Sequence, residues 1–211
     1  MIGLFRQKYP EVSVQLQVHS TRRTGWSVAN GQIDLAIIGG QLPADLENLL
    51  NVIPYSNDEL ALVIPPKHKL SKEKELTKED LYKLNFVTLD SQSTTRKVVD
   101  KLLKDSGLDM QRLKIEMELN SLEAIKNAVQ SGLGAAFLPV VSIERELSSG
   151  TLHKPNMSDL SVKREIKLIT NPSRYISKAS EAFKSDILPK FASKESPLRL
   201  SEEFKTGKVP Y

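Results

Sequence analysis

The sequence predicts an α/β fold in two lobes, each a mostly parallel sheet flanked by helices, and three observations predict it. Short continuous apolar runs, such as "IDLAIIGG" and "LGAAFLP", alternate with helical stretches. Such runs suit strands covered on both faces. Helical stretches open on Ser, Thr or Asn and close on glycine, at Gly31, Gly107, Gly132 and Gly150, the usual chemistry of helix ends. Finally, a shift of 101 residues overlays two blocks, with Val12, Val14, Leu16 and Val18 falling on Leu113, Ile115, Met117 and Leu119. The same shift brings Ser20 onto Ser121, Gly31 onto Gly132, and Leu35–Ile37 onto Ala136–Leu138. A repeated βαβ pattern points to two similar lobes joined by crossing strands.

The elements follow in order. Met1 to Lys8 carries apolar residues at Met1, Ile2, Leu4 and Phe5, which suits one face of a helix. "VSVQLQV" alternates apolar and polar residues, the sign of a half-buried strand. A helix is expected over Thr21–Asn30, then a buried strand in "IDLAIIGG". Glu59 to Ile64 reads as a strand ended by Pro65 and Pro66, and Phe86 to Leu89 as another. "TTRKVVDKLLKDSG" has helical spacing, "RLKIEMELNS" alternates like the first strand, and "SLEAIKNAVQSG" is a helix capped by Asn120 or Ser121. A buried strand in "LGAAFLP", a helix ending at Gly150, a strand in "EIKLIT" and a last helix up to Phe191 complete the order. The polar stretch beyond Phe191 reads as a loosely packed tail.

Composition narrows the function classes. With 211 residues, 39% of them hydrophobic, the chain can bury a core without staples. It has no cysteine, so neither a disulfide framework nor a thiol nucleophile is available. His19, His68 and His153 lack metal-ligand spacing, and no metal is expected. No window approaches the roughly 20 apolar residues of a membrane span, and "MIGLFRQKYP" lacks the apolar core of a signal peptide. The net charge of +4 is spread out rather than gathered into a nucleic-acid-binding face. "SGLGAAF" gives only a broken dinucleotide fingerprint, and it follows a helix instead of opening one. No phosphate loop, nucleophile elbow or general acid/base pair is present, so catalytic residues are not expected.

In open α/β sheets ligands bind outside the carboxyl ends of strands. The residues there are His19, Ser20 and Thr21, then Ser91, Gln92, Ser93, Thr94 and Thr95, then Asn120 and Ser121. Each set also opens a helix, where unpaired N–H groups and the helix dipole favour an anion. For any one of these residues alone, ordinary capping is the better explanation. Their recurrence at three strand ends of two matched lobes points to a cleft for a small anionic metabolite. Arg22, Arg23 and Arg96 stand in first helical turns, where a cation is unfavourable; they either meet a partner, an anion or another subunit, or simply extend over the surface into solvent.

"YPEVSVQLQVHST", "VANGQIDLAIIGG", "DELALVIPPKHKLS" and "MELNSLEAIKNAVQSGLGAAFLPVVSIEREL" together resemble the effector-binding part of LysR-type transcriptional regulators, over roughly residues 1–190. "LNSLEAIKNAVQSGLGAAFLP" is similar to the RuBisCO operon regulator group of cyanobacteria and plastids. The resemblance implies a periplasmic-binding-protein-like fold of type 2. Subdomain I is expected over 1–64 and 167–193, subdomain II over 65–166, and a tail over 194–211. It implies effector contacts at Ser20, Thr21, Ser91, Gln92, Ser93 and Asn120, with Thr94, Thr95 and Ser121 beside them and His19, Arg22 and Arg96 as anion contacts. It implies a non-enzymatic, cytoplasmic or stromal protein with no cofactor. The effector would be ribulose 1,5-bisphosphate, 2-phosphoglycolate or NADPH. It also implies side-by-side homodimers, tetramers at full length, and DNA binding through an N-terminal winged helix-turn-helix domain that this chain lacks. Related regulators of inorganic-carbon uptake or NAD(P)H dehydrogenase genes are an alternative, as is a solute-binding protein of the same fold.

Overall fold

A computed structural model describes residues 1–91, 93–160 and 162–199. In chain order the elements are α1 (Ile2–Lys8), α2 (Thr21–Ala29), β1 (Leu35–Ile38), α3 (Ala44–Glu47), β2 (Asn51–Val63), β3 (Asn85–Leu89), α4 (Thr94–Asp105), β4 (Lys114–Leu119), α5 (Leu122–Gln130), β5 (Ala136–Pro139), α6 (Glu144–Ser148), β6 (Val162–Thr170) and α7 (Lys178–Asp186). The chain forms two compact units. Unit 1 holds Met1–Asn57 and the chain from Glu165 onward, and unit 2 holds Asp58–Arg164. Strands β2 and β6 carry the chain across, each starting in one unit and finishing in the other.

The 101-residue repeat is exact at the level of elements. Helices α2 and α5 both have nine residues, and β1 and β5 both have four, each pair offset by that spacing. Ser20 and Ser121 are the N-caps, their hydroxyls accepting from the N–H of Arg23 and Ala124. At the other end Gly31 and Gly132 take φ values of 72° and 85°, a region open to glycine at little cost. The N–H of each glycine donates to the carbonyl of Val28 or Val129, and the next N–H donates to that of Ser27 or Ala128. This double closure satisfies carbonyls the helix leaves open and turns the chain toward the strand.

Both units bury side chains on both faces of their sheets. In unit 1, Ile169 packs with Val28, Leu42 and Leu46, while its neighbour Leu168 packs with Tyr55 and Leu188. In unit 2, Phe86 and Leu62 face α4 through Val99 and Leu103, while Val87 and Val63 face α5 through Ile125 and Val129. Adjacent strand residues point to opposite faces, so each sheet lies between helical layers. Burying a leucine such as Leu46 or Leu81 completely stabilises by roughly 1.5–3 kcal/mol.

Three expectations are corrected. The sheets are not mostly parallel: β1 pairs antiparallel with β6, and β2 pairs antiparallel with β5. Among the described residues, parallel pairing is found in unit 2, in β3 with β4 and at the Phe86–Ala135 bridge. The crossing strands run back beside the first strand of each βα step, and that reversal leaves no trace in residue spacing. Second, "VSVQLQV" is not a strand. Leu16 is 72% exposed and Val18 84% exposed, so the alternation is present but nothing in its unit covers it. Third, β1 is only partly covered, with Ile37 exposed. The polar stretch after Phe191 is moreover packed as far as it is described. Leu198 joins the core around Tyr55, the Ser193 N–H donates to the Tyr55 carbonyl, and the Ser196 hydroxyl donates to that of Pro54.

The two glycines of "SGLGAAF" have separate structural causes. Gly132 ends α5, as above. Gly134 lies where β3 and the chain entering β5 come together, with the Ala135 N–H donating to the Asn85 carbonyl at 2.8 Å. A Cβ on Gly134 would sit 2.6 Å from that carbonyl oxygen, which belongs to the backbone and cannot swing aside. Gly134→Ala should therefore cost about 1–3 kcal/mol, read as a lowered urea midpoint. An unchanged midpoint would show that the strands separate freely.

Candidate functional site

Three helix starts carry the predicted residues. In unit 1 Ser20 caps α2, its Oγ 3.4 Å from the Arg23 N–H. Thr21 begins that helix and is buried, and His19 lies exposed just before it. In unit 2 Ser93 caps α4, its Oγ 3.5 Å from the Arg96 N–H, and Thr94 and Thr95 form the first helical positions. Ser91 is exposed in the preceding turn, and Gln92 lies outside the described residues. Ser121 caps α5 at 3.5 Å from the Ala124 N–H, with Asn120 exposed beside it, so of the two residues expected at this position the serine is the cap. These cap bonds are long, and each serine keeps a hydroxyl proton to donate.

The arginines in first turns have different fates. Arg22 makes an exposed ion pair with Asp45 at 3.1 Å, an arrangement worth about 0–1 kcal/mol. Arg23 flanks a shallow depression of about 510 Å³, with Ser20, Trp26 and Gln32. Arg96 turns into its own unit. Its Nε donates to Asp100 at 2.7 Å, and its Nη1 donates to Thr88 Oγ1 and to the Leu89 carbonyl and reaches Glu118 at 3.3 Å. Its side chain is 14% exposed. Two of these acceptors are carboxylates, which offset a cation in the first turn of α4, and the set ties the helix to the ends of β3 and β4.

Sequence reasoning did not single out Asp58 and Arg164. Arg164 on β6 donates to Asp58 Oδ2 on β2 through Nε at 3.0 Å and Nη2 at 2.7 Å. Its Nη1 donates to Thr95 Oγ1 at 2.7 Å. Nothing in the sequence marks them out, since Asp58 stands in "SNDEL" and Arg164 in "VKREIK", each among other charged or polar residues. Beside α4 a mostly apolar cavity of about 550 Å³ is lined by Phe86, Thr95, Val99, Leu103, Leu113 and Phe137 among others. His68 is half-buried and accepts from the Leu70 N–H through Nδ1. Among the described residues no group of three His, Cys, Asp or Glu side chains could hold a metal ion, and no helix is long and apolar enough to cross a membrane.

Two-unit α/β architecture of this kind, with serine-capped helix starts in both units, belongs to a class of ligand-binding domains. The model of the LysR substrate binding domain matches residues 1–191, and the chain belongs to that family. It is 62% identical over 193 residues to the "Probable RuBisCO transcriptional regulator" of Trichormus variabilis, covering 92% of this chain and 57% of that protein. The protein of the same name from Porphyra purpurea is 58% identical over 193 residues, with 92% and 61% covered. The chain thus spans a little over half the length of these relatives. Among solved structures, the Synechocystis PCC6803 CcmR regulatory domain in complex with 2-PG superposes with a TM-score of 0.79 at 24% identity, over 92% of this chain and 90% of that one. The effector binding domain of QuiR in complex with shikimate gives a TM-score of 0.74 at 21% identity, over 92% and 89%. At those identities the likeness is one of fold.

Replacing Arg96 by Met should remove from the α4 anchor two donor nitrogens that reach four residues. The expected loss is about 1–2 kcal/mol of unfolding free energy, discounted because Asp100 and Glu118 are partly exposed. Urea denaturation at constant m would show it, and a wild-type midpoint would mean that the anchor contributes nothing.

Proposed function

We propose that this chain is the effector-sensing part of a transcription regulator of carbon-fixation genes, and that it responds to a small phosphorylated metabolite. The observation that carries this is the likeness, near 60% over 193 residues, to regulators of RuBisCO transcription from cyanobacteria and an algal plastid. The helix starts at Ser20–Thr21, Ser91–Thr95 and Asn120–Ser121 are the effector contacts. Gln92 belongs to the same set by sequence, and His19 and Arg22 assist the anion. Hydroxyl and N–H donors at a helix start suit phosphate oxygens. The ligand shifts the regulator between two states by its differential affinity for them. No reaction is catalysed and no cofactor is used. DNA is contacted through a winged helix-turn-helix domain outside these residues, in the cytoplasm or the chloroplast stroma. Of the effectors considered, ribulose 1,5-bisphosphate, 2-phosphoglycolate and NADPH all carry phosphate; 2-phosphoglycolate is favoured by the ligand of the structural neighbour.

A thermal-shift screen with these three compounds tests the proposal. A true effector at about 100 times its Kd stabilises by about 2.7 kcal/mol, a rise of about 5–10 °C for a domain of this size. Ser20→Ala or Ser93→Ala should reduce that rise. No rise with any of the three, together with unaltered promoter response in both variants, would sink the effector assignment.

The chain also pairs with a copy of itself, side by side and antiparallel, with tetramers at full length. A specific feature favours this. Val14, Leu16 and Val18 in unit 1, and their repeat equivalents Ile115 and Met117 in unit 2, are all exposed apolar residues. A two-fold axis that brings the first row against the second covers both. Leu16→Asp combined with Met117→Asp should give a monomer in light scattering after size exclusion, and a persistent dimer would exclude this interface.

A further inference from the structure

Arg164 and Asp58 make an ion pair whose side chains are only 13% and 8% exposed. Taking two charges out of water is expensive, and such a pair stabilises a fold less than well-packed apolar residues of the same volume often do. This pair is also one-sided. Both guanidinium contacts go to Asp58 Oδ2, and Oδ1 is buried without a partner among the described residues. The pair stands on the first and last residues of unit 2, on the two strands that carry the chain in and out of it. The remaining guanidinium nitrogen, Nη1, is directed at the first turn of α4, where it donates to Thr95 Oγ1 at 2.7 Å.

That last bond decides what Thr95 can do. A threonine hydroxyl has one proton and accepts through its oxygen lone pairs. With the Arg164 N–H donated to the oxygen, the proton turns away from the guanidinium and seeks an acceptor elsewhere. A hydroxyl that accepts from a cation is a stronger donor, because hydrogen bonds in a chain polarise one another. Thr95 follows the Ser93 cap by two residues, at a helix start that already favours negative charge.

We propose that Arg164, held by Asp58, is a positioning residue that orients and polarises the Thr95 hydroxyl to bind an anionic oxygen of the effector. The buried cation then acts through a neutral hydroxyl. Asp58 sets the strength of the device by balancing part of the guanidinium charge, and its removal should strengthen anion binding. This inference rests on the effector reading proposed above and names the group within it that meets the charged end of the ligand.

Isothermal titration of the whole chain with 2-phosphoglycolate, and separately with inorganic phosphate and glycolate, tests the proposal. Thr95→Val and Arg164→Met should each weaken phosphoglycolate binding about tenfold, the loss expected for a charge-assisted hydrogen bond. The two together should do little more, since they break one chain. Thr95→Ser should bind within about twofold of the unaltered chain, while Asp58→Asn should bind about threefold tighter, by loss of a nearby like charge. A purely structural pair would instead make Asp58→Asn and Arg164→Met lose affinity and thermal stability together, and that result overturns the proposal. If Arg164→Met does not fold, the contrast of Thr95→Val with Thr95→Ser decides: equal affinities overturn the proposal, and a tenfold gap supports it. Should the unaltered chain bind neither phosphoglycolate nor phosphate, the effector reading falls and takes this inference with it. Binding by the unaltered chain that Thr95→Val leaves intact removes the relay alone.

Discussion

Each unit is organised by one backbone constraint: a nine-residue helix that starts on a serine hydroxyl and stops on a glycine with positive φ. The stop is the stricter end. Two N–H groups must reach back to two carbonyls of the last turn, and a side chain at the glycine would be strained in doing so. Once the turn is closed, the direction of the following strand is set, and with it the faces that β1 and β5 present to the helices. The start of the same helix leaves N–H groups and a serine hydroxyl proton that the helix itself does not use. Both ends are placed by a handful of residues.

That economy explains what could be read from the sequence and what could not. Caps and glycine stops depend on residues within four positions of one another, so the helices, and the offset between the two units, were legible in Ser20, Ser121, Gly31 and Gly132. Strand direction depends on pairings such as Leu35 with Thr170, far apart in the chain, and nothing local distinguishes parallel from antiparallel there. The alternation in "VSVQLQV" signals a surface that is to be covered, without saying by what. The same alternation suits a strand in a sheet, yet Leu16 and Val18 are exposed. At the site, the hydroxyls were legible because caps are. The fate of the arginines was not: Arg96 meets Asp100 one turn away, but Thr88 and Glu118 reach it only through folding.

Two arginines of unit 2 are enclosed among oxygen acceptors. Arg96 and Arg164 both turn inward from strand ends or first turns and are met by oxygen acceptors, and both converge on α4. Unit 1 shows the same habit with acids. Asp34 takes the hydroxyls of Ser177 and Ser180 at the start of α7, and these bonds hold its carboxyl below the usual range. Asp186 at the end of that helix is met by Lys8 and Tyr9, which likewise keep it ionised. Helix α7 is thereby fastened at both ends, and α1 is fastened to it through Phe5 and Phe183.

The packing of Ser196 and Leu198 has a practical side. The last helical turn of the family's common core finishes at Phe191, an inviting place to cut a domain for expression. Cutting there would uncover the ring of Tyr55 and leave the Pro54 and Tyr55 carbonyls without their donors. The strand that crosses between the units begins at Asn51, so the loss would fall on the segment through which one unit passes to the next. The eight residues from Ala192 to Arg199 behave as a clasp on that strand, and the working boundary of the domain lies after them.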